Sequence, residues 1–322
     1  MAYDFKIYLS EGREFFRWKS DISFTLTNQE IKKDFELSES LLDLLYLDMD
    51  DYFQLCNEMG EEIRKLYEKD SEKNISALKN GLDKLAEAHI YFEFVRLDWY
   101  NRLDKFVNGE LKNLRKELYY KEITHIPMDI TTWQNQLQII FSKALDAMLS
   151  DKPVQERMSD MYNDKTLNDL SLFEFKPITT DFERINSKVF VETLNPKSLE
   201  DILNFFLRAI INQNLTFKAC KSCGKYFPTT SHGNSEYCNR PFQNTDKTCK
   251  EIGSVKVYQA KINENPEFKA YNRAYKTHFA RIKHKRMTKE EFKAWAELAR
   301  EFRDQVTNGD MGLQSYEDWL KR

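Results

Sequence analysis

Turn-forming residues are scarce in this chain, with nine glycines and seven prolines among 322 residues. An all-β sandwich or barrel needs a sharp turn about every ten residues, so that class is excluded and long helices become the expectation. Cysteine is scarce too. Of five residues, four fall between 220 and 249 and Cys56 stands alone, which rules out a disulfide scaffold. No stretch approaches ~18 uninterrupted apolar residues, and the N-terminal MAYDFKIYLSEGREF holds no apolar run of the secretory kind. A cytoplasmic protein without a membrane partner is the expectation. The motifs G-x-G-x-x-G, G-x-x-x-x-G-K-[ST], H-E-x-x-H and G-x-S-x-G are all missing, so the reading leans away from an enzyme and assigns no catalytic residue.

Apolar mass and a lopsided charge are what the chain does have. Hydrophobic residues make up 41% and aromatics 14%, enough for a sizeable core. The net charge of −3 conceals a division: residues 218–287 carry fifteen Lys/Arg against five Asp/Glu, whereas residues 1–217 carry 28 against 39. An acidic body with a basic insert points to an anionic partner for the insert.

Along the chain, FKIYL and ISFTLT read as a short strand pair separated by SEGREFFRWKSD. From Ser38 the period becomes helical through LLDLLYLDMDDYFQLCNEMGEEIRKLYEK and ISALKNGLDKLAEAHIYFEFVRLDWYNRLDKFV, predicting at least two long helices. Pro127 closes this region, and TTWQNQLQIIFSKALDAMLSD predicts another helix ending before Pro153. The alternation around LFEF and KVFVETL predicts strands. Ser198 with Asp201 then caps a strongly apolar helix, LEDILNFFLRAIINQN. Beyond the cysteines, three helical segments follow. Pro266 opens the second, Thr288 with Glu291 caps the third, and Gly309 ends it. His89 reads as a core or interface histidine, Cys56 as a small buried side chain, and Asp48, Asp50 and Asp51 as a helix end or solvated face.

The cysteines carry the strongest signal. Cys220, Cys223, Cys238 and Cys249 stand as C-x2-C-x14-C-x10-C. A C-x2-C knuckle offers two thiolates to one metal, Gly224 after it tolerates positive φ, and Cys249 lies where a helix should begin. The positive end of that helix favours its thiolate. Four thiolates leave no open coordination position, so the expected Zn2+ is structural and not catalytic. A redox pair at Cys220/Cys223 would need a βαβ context that the flanks lack, and His232, in a polar loop, is the alternative ligand. The fold class expected is therefore mainly α with small β elements: a helical N-terminal domain plus a treble-clef-like zinc finger and C-terminal helices. The corresponding segments are 1–162, a strand-helix connector at 163–217, the finger at 218–263, and basic and amphipathic helices at 264–322.

The run CKSCGKYFPTTSHGNSEYC with TCKEIGSVKVYQAK resembles the zinc-finger segment of an uncharacterised bacterial family of unknown function. More distantly it is similar to the CGNR-type finger at the C-terminus of bacterial stress-response transcription regulators. Shared features are the first cysteine pair, a TSxxGS-like loop before the Tyr237-Cys238 dipeptide, and a last cysteine opening a basic helix, over roughly residues 200–300. The chain has CKEI in place of CGNR and ten residues between its last two cysteines. For the N-terminal portion the resemblance implies a sensor or protein-partner domain.

FKAYNRAYKTHFARIKHKRM, residues 268–287, holds seven Lys/Arg, two His and no acid. On a helix, Phe268, Tyr271, Tyr275, Phe279 and Ile282 share one face, while Lys269, Arg273, Lys276 and Lys283 share another. Arg281, Lys285 and Arg286 add charge around the helix and at its end, and Arg240, Lys247 and Lys250 extend it near the cysteines. Such a surface neutralises phosphates without reading bases. The blander reading is a solvated face that pairs with acids of 1–217. The sequence thus predicts a zinc-finger protein that binds DNA or RNA and regulates. The alternatives are an interaction adaptor with a purely structural zinc, and an enzyme with a concealed site in 1–217.

Overall fold

Glu11 and Gly12 both adopt positive φ, 52° and 75°, the backbone of a two-residue hairpin turn whose twist suits antiparallel strands. The turn joins β1 (Lys6–Ser10) to β2 (Arg13–Ser20), with Ser10 opposite Arg13. SEGREFFRWKSD is therefore not a separator, as its composition suggests, but the turn and a full strand. The structure, a computed structural model, describes residues 4–20, 29–68, 72–185, 187, 189–229, 235–243, 245–253, 255 and 264–321, so ISFTLT (22–27) and His232 lie outside the described residues.

Packing divides the chain into two compact units, Met1–Ala219 with Lys225–Asn234, and Cys220–Gly224 with Ser235–Arg322. In the first, β3 (Gln29–Glu36) extends the meander, and two strands from far along the chain, β4 (Thr180–Arg184) and β5 (Phe190–Leu194), complete an antiparallel sheet ordered β3-β2-β1-β5-β4. KVFVETL forms β5 as expected. LFEF does not form a strand: Phe173 is buried in the core and packs on Phe175 with ring centroids 5.2 Å apart, so the two rings anchor an irregular segment outside any ladder.

The longer helices of this unit are α1 (Glu39–Leu45), α2 (Asp50–Leu66), α3 (Glu72–Ala88) and α4 (Ile90–Val107), followed by Ile126–Ile140, Val154–Asn163 and Leu199–Asn212. His89 breaks the long helical run that looks continuous in the sequence. It caps α4, its Nδ1 accepting the Tyr91 N–H at 3.2 Å while Nε2–H donates to the Ser40 carbonyl at 2.9 Å. Burial brings its pKa down to about 4, so it is a neutral core histidine. Gly81 lets α2 and α3 approach, since a Cβ there would meet the Met59 side chain at 2.6 Å. Pro127 opens the Ile126–Ile140 helix in place of merely closing the preceding region, and that helix passes into a π-helical segment, Phe141–Leu145, where it stops well before Pro153. Ser198 Oγ accepts the Asp201 N–H at 3.2 Å, the cap the sequence predicts. Tyr91 of α4 stacks on Phe206 at 5.7 Å, and Phe16 of β2 packs on the same ring, which ties sheet and helices into one apolar core. Strands β6 (Phe217–Ala219) and β7 (Tyr226–Pro228) form a small separate hairpin.

The second unit contains three C-terminal helices, Pro266–Lys283, Lys289–Asn308 and Leu313–Leu320. Thr288 and Glu291 make the expected reciprocal capping box at 3.1 and 2.7 Å, and Gly309 ends the middle helix at φ 85°. Tyr271, Ala299, Tyr316 and Leu320 form their core, with the Tyr316 hydroxyl donating to the Ala299 carbonyl at 2.8 Å. The protein is mainly helical with small antiparallel sheets. Among the described residues no helix is long and apolar enough to cross a membrane.

Candidate metal centre

Gly224 sits at φ 74° and donates its N–H to the Cys220 carbonyl at 2.8 Å, closing the tight knuckle that turns Cys220 and Cys223 toward one point. Across from it, the Lys221 N–H donates to the Glu236 carbonyl at 3.0 Å, bringing the Cys238 segment alongside. The third component is a helical turn at 249–253. Thr248 Oγ1 accepts the Glu251 N–H at 3.2 Å while the Glu251 carboxylate accepts the Thr248 N–H at 2.7 Å. This capping box makes Cys249 the first residue of its helix, and the residues T-C-K-E are its signature, which the cysteine pattern overshadows in the sequence. The Cys249 N–H donates to the Arg240 carbonyl at 2.9 Å and the Lys250 N–H to the Cys238 carbonyl at 3.0 Å, locking loop to helix.

These bonds converge four sulfurs. The Sγ atoms of Cys220, Cys223, Cys238 and Cys249 all lie within 4.8 Å of one another, a set that can hold a metal ion. Cys223 and Cys238 are 3.8 Å apart, and a tetrahedron with metal–sulfur bonds of about 2.3 Å has edges of about 3.8 Å. Cys220, Cys238 and Cys249 are buried. Residues 174–319 match the model of a family of unknown function, DUF6076. No curated protein and no solved structure matches the chain. All four cysteines and the three C-terminal helices fall within the DUF6076 segment, apart from the last residues of the chain.

The electrostatics of the thiols are uneven. Burial works against the Cys220 thiolate, yet the N–H groups of Cys238, Cys223 and Ser222 outweigh it and bring the thiol down to about 7. Cys249 goes the other way, pushed up to about 12 by burial and by the neighbouring sulfurs of Cys223 and Cys238. The favourable helix start expected for its thiolate is thus outweighed in the cluster itself, and a divalent cation held among the four sulfurs would supply the missing stabilisation. Cys56 is buried away from this set in the first unit, its thiol pushed up to about 12 by desolvation.

The basic residues of the DUF6076 segment are not gathered in this way. Lys269, Arg273, Lys276 and Lys283 stand exposed along the Pro266–Lys283 helix, while Lys285, at φ 55°, and Arg286 follow its end. Lys247 is exposed, Lys250 is exposed beside Cys249, and Arg240 is half-buried. The apolar face differs from the one projected from the sequence. Tyr271 and His278 are its buried residues, whereas Phe279 is 59% exposed, its ring resting edge-on against Phe292 at 5.6 Å. His278 belongs to the inward face because Ala270 and Ala274 let the neighbouring helices come close, and the imidazole fills the space beside Trp295.

Proposed function

We propose that the protein is a cytoplasmic regulator in which one structural zinc, held by Cys220, Cys223, Cys238 and Cys249, organises a C-terminal unit that binds the phosphate backbone of DNA or RNA. The observation that carries the zinc is the sulfur quartet at tetrahedral spacing. With four thiolates the ion has no site for water and does no chemistry; its binding free energy is folding free energy for a segment with little core of its own. Support for the anionic partner comes from charge left uncompensated. Among the described residues, Lys269, Arg273, Lys276, Lys283, Lys285 and Arg286 take part in no ion pair with the acids of their own unit. The first unit, with its larger core, is then the sensor or partner domain.

Fluorescence anisotropy of the zinc-loaded protein with generic duplex and single-stranded DNA and RNA, at two salt concentrations, tests this reading. Binding should weaken steeply as salt rises. The Lys269→Gln/Lys276→Gln/Lys283→Gln variant should bind all sequences more weakly, with a salt slope shallower by about one unit for each phosphate it no longer neutralises. Absent or salt-insensitive binding, with protein partners recovered from nuclease-treated lysate, would turn the reading to an interaction adaptor.

A further inference from the structure

Arg281 is held by a neutral group. Its Nη1–H donates to His278 Nε2 at 2.9 Å, and the same imidazole donates from Nδ1–H to the Ala274 carbonyl at 3.0 Å. Both ring nitrogens are therefore assigned, one as donor and one as acceptor, in a histidine only 2% exposed. Trp295 stacks on the ring with centroids 3.9 Å apart and planes 8° from parallel. An arginine fixed by a carboxylate loses its charge to that partner; one fixed by an imidazole keeps it for something else.

The something else has a place. Arg273, Thr277 and Arg281, spaced four residues apart on one helix face, line a cavity of about 290 Å³ with His278, and Glu317 and Lys321 of the last helix close its other side. Arg273 has no ion pair among the described residues, and Lys321 is engaged by Asp318 at 2.8 Å. Glu317 is the lone carboxylate in the lining among the described residues, so the wall stays net positive. Ala274 and Leu320 give it an apolar floor.

We propose that this cavity binds a phosphate monoester carried on a small hydroxyl-bearing organic group. Two guanidiniums present more donors than a two-oxygen carboxylate can accept, and they match the three oxygens and double charge of a phosphate. The volume exceeds what a bare phosphate needs, and Glu317 is placed to accept from a hydroxyl of the organic part. Two sources offer this chemistry, a free sugar phosphate or the 5′-phosphorylated end of an oligonucleotide. The site shares Arg273 with the backbone-binding reading, but Lys269, Lys276 and Lys283, on which the test of that reading is made, lie outside the cavity.

Trp295 reports on the site through His278, so its fluorescence is the readout. The zinc-loaded full chain is titrated with ribose 5-phosphate, inorganic phosphate and acetate at constant ionic strength, and with a dinucleotide bearing or lacking a 5′ phosphate. Saturable change with ribose 5-phosphate, tighter than with inorganic phosphate and absent with acetate, is the expected result. Arg281→Lys and the exposed-site Arg273→Gln should each weaken it at least tenfold, while Lys269→Gln/Lys276→Gln should not. A response confined to the 5′-phosphorylated dinucleotide and lost in Arg273→Gln assigns the oligonucleotide end as the source. The proposal is overturned if neither phosphate source saturates, if acetate acts equally, or if Arg273→Gln binds as the parent does.

Discussion

The ring of Tyr237 lies directly against the Cα of Gly253, so that the residue before the third cysteine packs on the helical turn that follows the fourth. A Cβ at 253 would enter the ring, and the displaced atoms are the rigid aromatic carbons rather than a flexible tip. Gly253→Ala should therefore push the Cys238 segment away from Cys249 and loosen the sulfur quartet. Zinc release to a chromogenic chelator should run several-fold faster than in the parent protein, and an unchanged rate would show that the ring has room to move.

Cysteine replacement separates the metal site from the core. Cys238→Ser removes one of four ligands, and because metal binding and folding of this segment are coupled, bound zinc should fall well below one per chain while amides across 218–253 lose hydrogen-exchange protection. Cys56→Ser buries a hydroxyl in an apolar site and should cost about 1–3 kcal/mol of stability, with zinc content untouched. Equal metal content in the two variants, by elemental analysis, would contradict the assignment.

Glu14 sets a pH dependence for the first unit. Its carboxylate is fully buried in the inward row of β2, and burial raises its pKa to about 7 even though it accepts the Ser38 N–H at 2.7 Å and the Ser40 N–H at 3.3 Å. A raised acid binds its proton more tightly folded than unfolded. Its contribution, on the order of 3 kcal/mol, is thus fully present below about pH 4.3 and is lost as pH climbs through about 7. Denaturant unfolding of the parent between pH 5 and 8 should show stability declining more steeply with pH than in Glu14→Gln, whose side chain cannot ionise; parallel profiles would dismiss the effect.

Local chemistry is what the sequence displays openly. Four sulfurs within thirty residues, the Ser198 and Thr288 caps and the Gly309 stop all act over a few positions, and each is found where expected. Legibility fails where distant segments decide. The inward row of β2 contains Glu14, an acid that spoils the apolar alternation, so a strand looks like a connector. Nothing near 190 announces that β5 pairs with β1, with Ile7 opposite Leu194. Phe173 and Phe175 show strand composition, yet packing against the core claims them first. The cavity at Arg281 is hidden for a similar reason, since only the stacking of Trp295 on His278 shows which face of that helix turns inward.

The pairing of β1 with β5 bears on how this protein can be cut. The stretch 174–319 starts after β1, β2 and β3 and keeps β4 and β5. A fragment with those limits would strip the neighbour from β5 and leave Thr193 and Leu194 unpaired on that side, a raw edge ready to recruit a strand from another molecule. Recombinant pieces drawn at that boundary should precipitate or self-associate where the whole chain does not, a difference that light scattering of the two would register.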